Sequence, residues 1–582
     1  MSFVMRLQWF FKTRWIYYAL AIGLMAGVNL LQTIPPKMIG NTIDNIQKGN
    51  LTASELSGTV LLLVGLALGM YVLVYIWITT LFGNSVLLEK LLRGRFMAHL
   101  TRMTPGFFQR NSTGQLMALA TNDILAIGNT AGYGVMTLVN TLVGATVVIV
   151  TMISLIDYRL MLAALIPLPL LAVVISFLGG KVRVRFLAAQ NAFGKMNDHA
   201  LESISGIRVL RSYVQENRDL AAFDGVTTDV MDRNREVSLL NALFQPIISL
   251  IVGVSYTIGI GYGSYLVFHH EITLGQLISF NIYLGMLIWP MISFGEFINV
   301  LQRGNASADR VEKSFLQQPD LTDPEHPVQV DVPTSIEMRG LSFTYPTADH
   351  PSLKDISFKL ERGGTLGVVG RTGSGKSTLL KQLLRQYPLG EEQLFVSGVP
   401  VEAIALDRAK QWVAYVPQEH LLLSKSIRDN IALGKPNATD AEIAKAVEMA
   451  SFASDIAIMP EGMGTIVGEN GVMLSGGQKQ RLAIARALLM DAEILAMDDS
   501  LSAVDARTEA RILQHIRRER AGKTTLITTH RLSAVSHADW ILVLDEGRVL
   551  EEGTHEELMH FGGWYRKQWD RQQMEAGLEE SE

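Results

Sequence analysis

Two halves of different fold class are predicted: an α-helical membrane domain with six transmembrane helices, then a C-terminal α/β domain built around a phosphate-binding loop. Three observations predict them. Of 582 residues, 48% are hydrophobic and only 18% charged, against about 25% charged in an ordinary soluble chain, and the mean hydropathy is +0.22. The apolar excess falls in six long runs before about residue 300, and the remainder has a soluble composition. In that remainder an apolar strand pattern runs into a glycine-rich turn and a helix. The chain has no cysteine, which excludes thiol catalysis, thiolate zinc sites and redox switching. A net charge of −5 supplies no global basic field, so nucleic acid is not an expected partner.

The runs lie at approximately 15–37, 58–83, 132–156, 158–179, 244–268 and 274–300. Each holds the ~20 apolar residues that cross ~30 Å of hydrocarbon as a helix. None shows the alternation of a barrel strand, and lipid tolerates no bare backbone, so all six are read as helices in a lipid bilayer. The first run follows Arg6, Lys12 and Arg14 like a signal peptide, but it is too long and its end, QTIPPKMIG, lacks small-residue cleavage spacing. It is read as a retained span whose outer end is marked or bent by Pro35 and Pro36. A tight turn at Asp157, Tyr158 and Arg159 separates the third and fourth runs.

Lysine and arginine concentrate after the second run (Lys90, Arg93, Arg95, Arg102, Arg110) and after the fourth (Lys181 to Arg218). The positive-inside rule then places both segments and both termini in the cytosol. The stretch 197–223 repeats apolar positions every three to four residues, predicting helices that extend below the bilayer. Turns near Phe107–Gly114 and Ser212–Arg218 could touch a cytosolic domain, or belong to solvated hairpins; sequence leaves the two readings even. Polar, proline-rich 317–335 is read as a linker between a membrane domain at 1–316 and a nucleotide domain at 336–582.

Gly370-Arg371-Thr372-Gly373-Ser374-Gly375-Lys376-Ser377 matches G-x-x-x-x-G-K-[ST] in full, between an apolar strand and a helix. With Thr378 these are the candidate nucleotide-binding residues: glycines admit phosphates to backbone amides, Lys376 reaches the β- and γ-phosphates, and Ser377 serves Mg²⁺. EILAMDDS (493–500) is a buried-strand pattern ending in Asp498, the expected Mg²⁺-side acid, and Asp499, placed to polarise an attacking water. LSGGQKQRLAIARALL (474–489) sets Ser475, Gly476, Gly477 and Gln478 at the start of a second anion-binding helix. Since the first loop already cradles the nucleotide, this one is free to cap a phosphate bound by another subunit. ATP then becomes the glue between two nucleotide domains.

With these motifs the chain resembles ATP-binding cassette half-transporter exporters over essentially its whole length. The resemblance extends to TPGFFQRNSTGQLMALATND (104–123) and ESISGIRVLRSYVQE (202–216). It implies that Tyr345 stacks on adenine, and that Gln418 links Mg²⁺ to the membrane domain and joins Ser377 and Asp498 in serving the ion. It also implies that Ser502 to Asp505 form the D-loop, with Asp505 near nucleotide, and that His530 contacts the γ-phosphate. VGENG (467–471) would sense the cytosolic helices. Lys376, Gln418, Asp499 and His530 are the candidate catalytic set.

Catalytically complete members of that family usually carry glutamate where this chain has Asp499. One methylene less withdraws the carboxylate by roughly 1.5 Å, and a misplacement near 1 Å can cost ~10²-fold in rate. ATP on this chain's own loop is therefore expected to turn over slowly. An intact LSGGQ beside a shortened acid resembles one half of a heterodimeric bacterial multidrug exporter of the plasma membrane. The implied partner is a non-identical half-transporter and the implied cargo a hydrophobic small molecule. A homodimeric lipid flippase is the alternative. Glu296 in the last run could attract cationic cargo or be solvated or paired with Arg303. The aromatic and methionine stripe Tyr256, Tyr262, Phe280, Tyr283, Met286, Trp289, Met291 could form a pocket, or face lipid and neighbouring helices. Gly-rich 252–263 suggests close helix packing.

Overall fold

The structure, a computed structural model, describes residues 3–468 and 474–579. The chain divides into two compact units, Met1–Ala98 with Leu116–Leu316, and His99–Gln115 with Gln317–Glu582.

The regular structure of the first unit is all helix among its described residues. Five stretches are long and apolar enough to cross a membrane: Gln8–Gln47, Ala53–Leu100, Thr113–Leu155, Glu216–Phe268 and Leu274–Leu316. The 48-residue helix Ala53–Leu100 is about 72 Å long at 1.5 Å per residue, more than twice the hydrocarbon thickness. The expected extension beyond the bilayer is therefore present.

The prolines mark a break in the first span, as expected: a helix closes at Leu31 and another, Ile34–Gln47, starts with Pro35 and Pro36 in its first turn. First-turn amides need no intrahelical acceptor, so proline's missing N–H costs nothing there. The fourth run is not one uninterrupted helix. Asp157 caps Tyr158–Leu165 by accepting from the amides of Arg159 (2.7 Å) and Leu160 (3.2 Å). The chain then breaks at Ile166–Pro167 before Leu168–Ser205 begins.

Thr113–Leu155 contains three π-helical turns, at Leu119–Asp123, Thr130–Gly134 and Asn140–Gly144. At or beside each, a small polar side chain meets helix Leu274–Leu316. Asp123 accepts from Ser307 at 2.7 Å and pairs with Arg310. Thr130 donates to the Val300 carbonyl at 3.2 Å, and the Thr141 and Ser293 hydroxyls lie 3.0 Å apart. Gly304 leaves the room that the Thr130 side chain fills.

The aromatic stripe divides. Phe280 and Tyr283 are fully buried, with Tyr256, Tyr262 and Met286 packed around them, whereas Trp289 is exposed. Gly259 and Gly263 face Phe280 and Leu277, the close packing expected of that glycine-rich stretch. Around the turn after Leu168–Ser205, Ile204, Val209, Tyr213 and Val214 are all strongly exposed.

Among its described residues the second unit has two sheets. One is antiparallel, order β2-β1-β4-β5, from β1 (Ser335–Phe343), β2 (Leu353–Glu361), β4 (Leu394–Val396) and β5 (Val399–Pro400). The other runs β10-β9-β3-β8-β7-β6, from β3 (Thr365–Gly370), β6 (Val413–Val416), β7 (Ile494–Asp498), β8 (Thr524–Thr528), β9 (Trp540–Asp545) and β10 (Arg548–Gly553). All its neighbours are parallel except β10 on β9. Strands β3, β7 and β8 are almost wholly buried, as helices on both faces require. The short helix Pro105–Arg110 belongs to this unit: Phe107 is buried, Gln109 donates to the Tyr387 hydroxyl at 2.7 Å, and Arg110 pairs with Asp320 at 3.1 Å. The segment read as a linker is likewise tied down, Asp323 accepting from Leu406 at 2.7 Å and Val328 donating to Ala403 at 2.8 Å.

Candidate functional site: a phosphate-binding cleft at the carboxyl ends of the sheet

Strands β3, β7 and β8 end side by side, and in a parallel sheet ligands bind outside those carboxyl ends. Here they open on a cleft of about 590 Å³. It brings together Thr372, Gly373, Gly375, Lys376, Ser377, Thr378, Gln418, Asp498, Asp499 and His530. The loop 371–375 follows β3 directly and delivers helix Lys376–Leu383. Gly375 sits at φ +104° with Ser352 O 2.8 Å from where a Cβ would stand, so both conformation and space demand glycine.

Lys376 Nζ curls over its own loop, donating to the Gly370 and Arg371 carbonyls at 2.9 and 2.8 Å. Burial lowers its pKa, against the opposing pull of Asp499 and Asp498. Ser377 Oγ donates to Asp498 Oδ1 at 2.8 Å; that carboxylate also accepts from Thr528 at 2.8 Å and Tyr415 at 3.2 Å. Burial, then Asp498, pushes the Tyr415 phenol up, so it stays a donor. A hydroxyl beside a carboxylate is a hard-oxygen donor set that suits Mg²⁺ bound mainly through phosphates. Exposed amides at a helix start with one lysine suit the triphosphate.

Asp499 adopts φ +45°, its amide bonded to the Thr528 carbonyl at 2.9 Å. Its Oδ1 lies 2.9 Å from His530 Nδ1, and this bond raises the His530 pKa against desolvation. The residue after His530 was not singled out by sequence. Arg531 bonds the Ser502 and Val504 carbonyls at 3.0 and 3.1 Å and Glu509 at 2.7 Å, fastening the His530 turn to the loop 502–505. Burial raises the Glu509 carboxyl, with Arg531 opposing. Only the position of arginine beside the histidine could have flagged it.

Other expected residues lie elsewhere. Tyr345 sits edge-on to Phe343 and Tyr387, its hydroxyl 3.1 Å from Thr378, and does not line the cleft. Gly370, Arg371 and Ser374 form the loop behind it. Ser475 caps helix Gly476–Leu489 in a reciprocal box with Gln478, and neither they nor Gly476 and Gly477 line the cleft. Asp505 caps Ala506–Glu519, accepting from Thr508 at 2.9 Å. Of VGENG, residues 469–471 lie outside the described residues; Val467 is buried.

A phosphate loop, a strand-end acid pair and LSGGQ on one α/β unit, following a helical membrane unit, define an ABC transporter with membrane and ATPase parts fused. Residues 18–291 match the ABC transporter transmembrane region family and residues 353–502 the ABC transporter family. The chain is 50% identical over 573 residues to the "Probable multidrug resistance ABC transporter ATP-binding/permease protein YheI" of Bacillus subtilis, covering 98% of both. It is 39% identical to the "Multidrug resistance-like ATP-binding protein MdlA" of Escherichia coli, covering 99% of this chain and 98% of MdlA. The solved "Structure of a bacterial Atm1-family ABC exporter with ATP bound" superposes with TM-score 0.80 at 25% identity, covering 97% of this chain and 98% of that one. The chain belongs to the ABC transporter family: it is a multi-pass membrane exporter half whose ATPase domain couples ATP hydrolysis to transport.

Proposed function

We propose that this chain is one subunit of a heterodimeric exporter of hydrophobic compounds in a bacterial plasma membrane, and that its own nucleotide site is the slow one. The observation that carries this is the pair of unequal half-sites. The cleft ends in Asp499, a residue too short by one methylene, while Ser475, Gly476, Gly477 and Gln478 stand intact but away from the cleft. A site of this kind is completed by a second chain. The partner's glutamate would sit opposite this LSGGQ, and this cleft would hold ATP with little turnover.

The exposed apolar turn with Tyr213 and Val214 supports a second chain, since a large apolar patch needs a covering surface. Within the cleft, Lys376 and the loop amides would hold the phosphates, and Ser377 with Asp498 the Mg²⁺, which neutralises charge developing on the transferred group. Gln418 lines the same cleft, and His530, oriented by Asp499, would meet the terminal phosphate. Closure of two cassettes on ATP biases the membrane halves outward, because only the closed pair binds both faces of the nucleotide.

Purified alone, the chain should show slow ATPase activity that rises about ten-fold or more on Asp499→Glu, as reach is restored. Brisk turnover by the unpaired chain, abolished by Asp499→Asn, would end the heterodimer reading. Stimulation of the reconstituted pair by lipids but not by hydrophobic dyes would turn the cargo assignment to lipid.

A further inference from the structure

The helix Trp564–Glu579 takes part in none of the nucleotide motifs. Tyr565, Trp569 and Gln572 recur at spacings of four and three, so they share one face. The first two anchor the helix. Tyr565 is fully buried with its hydroxyl 2.8 Å from His555 Nδ1, its ring stacks on Trp569, and its amide donates to Glu551 at 3.1 Å.

The third reaches the cleft from behind. Gln572 Nε2 donates to the His530 carbonyl at 2.7 Å, and its Oε1 accepts from the Leu532 amide at 2.9 Å. One side-chain amide thus closes two backbone bonds that straddle Arg531, while Arg531 itself fastens the turn to Ser502 and Val504 on the other side. His530 stands on an exposed turn just past β8, more than half its side chain open to solvent. Asp499 holds one ring nitrogen at 2.9 Å, and the ring keeps its aim only if the backbone beneath is held as well.

We propose that Gln572 is a positioning residue: by clasping the backbone on both sides of Arg531 it aims His530 at the terminal phosphate, so that the C-terminal helix sets how strongly the cleft prefers a nucleoside triphosphate to a diphosphate. This rests on the cleft being the ATP site. It does not depend on how fast that site hydrolyses or on which partner completes it. On that reading a diphosphate would lack the terminal group that His530 meets, so its binding should be indifferent to Gln572.

The test uses the full chain in detergent, with displacement of trinitrophenyl-ATP by ATP and by ADP in the presence of Mg²⁺. Gln572→Ala should weaken ATP about five-fold, the order expected for two lost hydrogen bonds of modest net value, and leave ADP within about two-fold. Retained ADP affinity shows that the cleft is still folded. His530→Ala should lose the same preference, and His530→Ala/Gln572→Ala should lose no more than His530→Ala alone. An unchanged ATP-to-ADP ratio in Gln572→Ala, an equal loss of both nucleotides, or a further loss in the double variant overturns the proposal. Failure of the unaltered chain to bind either nucleotide overturns the ATP-site reading itself, and this inference with it.

Discussion

Replacing Arg531 by methionine isolates the pairing that joins the His530 turn to the loop 502–505. The guanidinium lies 2.7 Å from Glu509 and bonds the Ser502 and Val504 carbonyls at 3.0 and 3.1 Å. Glu509's side chain is only 6% exposed, so methionine leaves a carboxylate facing apolar surroundings. Breaking one partner of a buried pair costs about 3–5 kcal/mol. Arg531 is 34% exposed and Glu509 can escape by protonation, which places the loss near the lower end, about 3 kcal/mol. In a unit of this size that is a fall of about 6–12 °C in unfolding midpoint. Scanning calorimetry on the full chain can follow it, taking the transition that ATP shifts upward as that of the nucleotide unit. The pH dependence has a definite sign. A lone Glu509 holds its proton more tightly folded than unfolded, so stability is complete below the unfolded pKa and lost as pH rises through the raised folded pKa. The deficit should therefore be larger at about pH 8 than at about pH 5.5. Arg531→Met/Glu509→Leu, which removes the charge, should recover most of it. A fall under about 2 °C, a deficit that ignores pH, or no recovery in the double variant would refute the reasoning.

Three other outcomes are expected. Gly375→Ala forces a side chain into φ +104° and against Ser352 O, so ATP affinity measured by nucleotide displacement should fall at least about ten-fold, with ~1–3 kcal/mol of strain. The Asp499 bond holds the His530 pKa above its ordinary value, so histidine resonances of Asp499→Asn should show His530 titrating at lower pH than in the parent; the pair's stabilisation is present at low pH and lost as pH rises through that raised value. Gly304→Ala should overpack the contact with Thr130, lowering the midpoint of the membrane unit by an amount equivalent to about 1–3 kcal/mol, and Thr130→Ser should relieve part of it.

The residues that meet in the cleft were legible because each sits in a local pattern with its own physical reason. A glycine turn must precede Lys376 and a buried strand must end at Asp498; away from the cleft, the helix start at Ser475 was legible for the same kind of reason. What stayed hidden depends on partners remote in sequence. Nothing local ties Glu509 or Gln572 to His530, 21 and 42 positions away by residue number; only the packed sheet and the terminal helix bring them together. Apolar runs announced the membrane helices, and Asp157 and the prolines two of their breaks, but not the one at Ile166–Pro167. Pro35 and Pro36 marked the end of the first helix, but not that a further helix resumes on them. The π turns left no trace in hydropathy, since they alter the winding of the chain and not its composition. Tyr345 carried a role implied by resemblance alone; its place against Phe343 and Tyr387, with its hydroxyl beside Thr378, rests on packing that no local pattern announced.

Three notches along Thr113–Leu155 engage Leu274–Leu316 at Asp123, Thr130 and Thr141, far apart along the pair. Neither rod can glide past the other without opening all of them together. The two are splined like a shaft in its collar: they can tilt or turn as one piece, and a push at one end arrives at the far end without being spent on slippage.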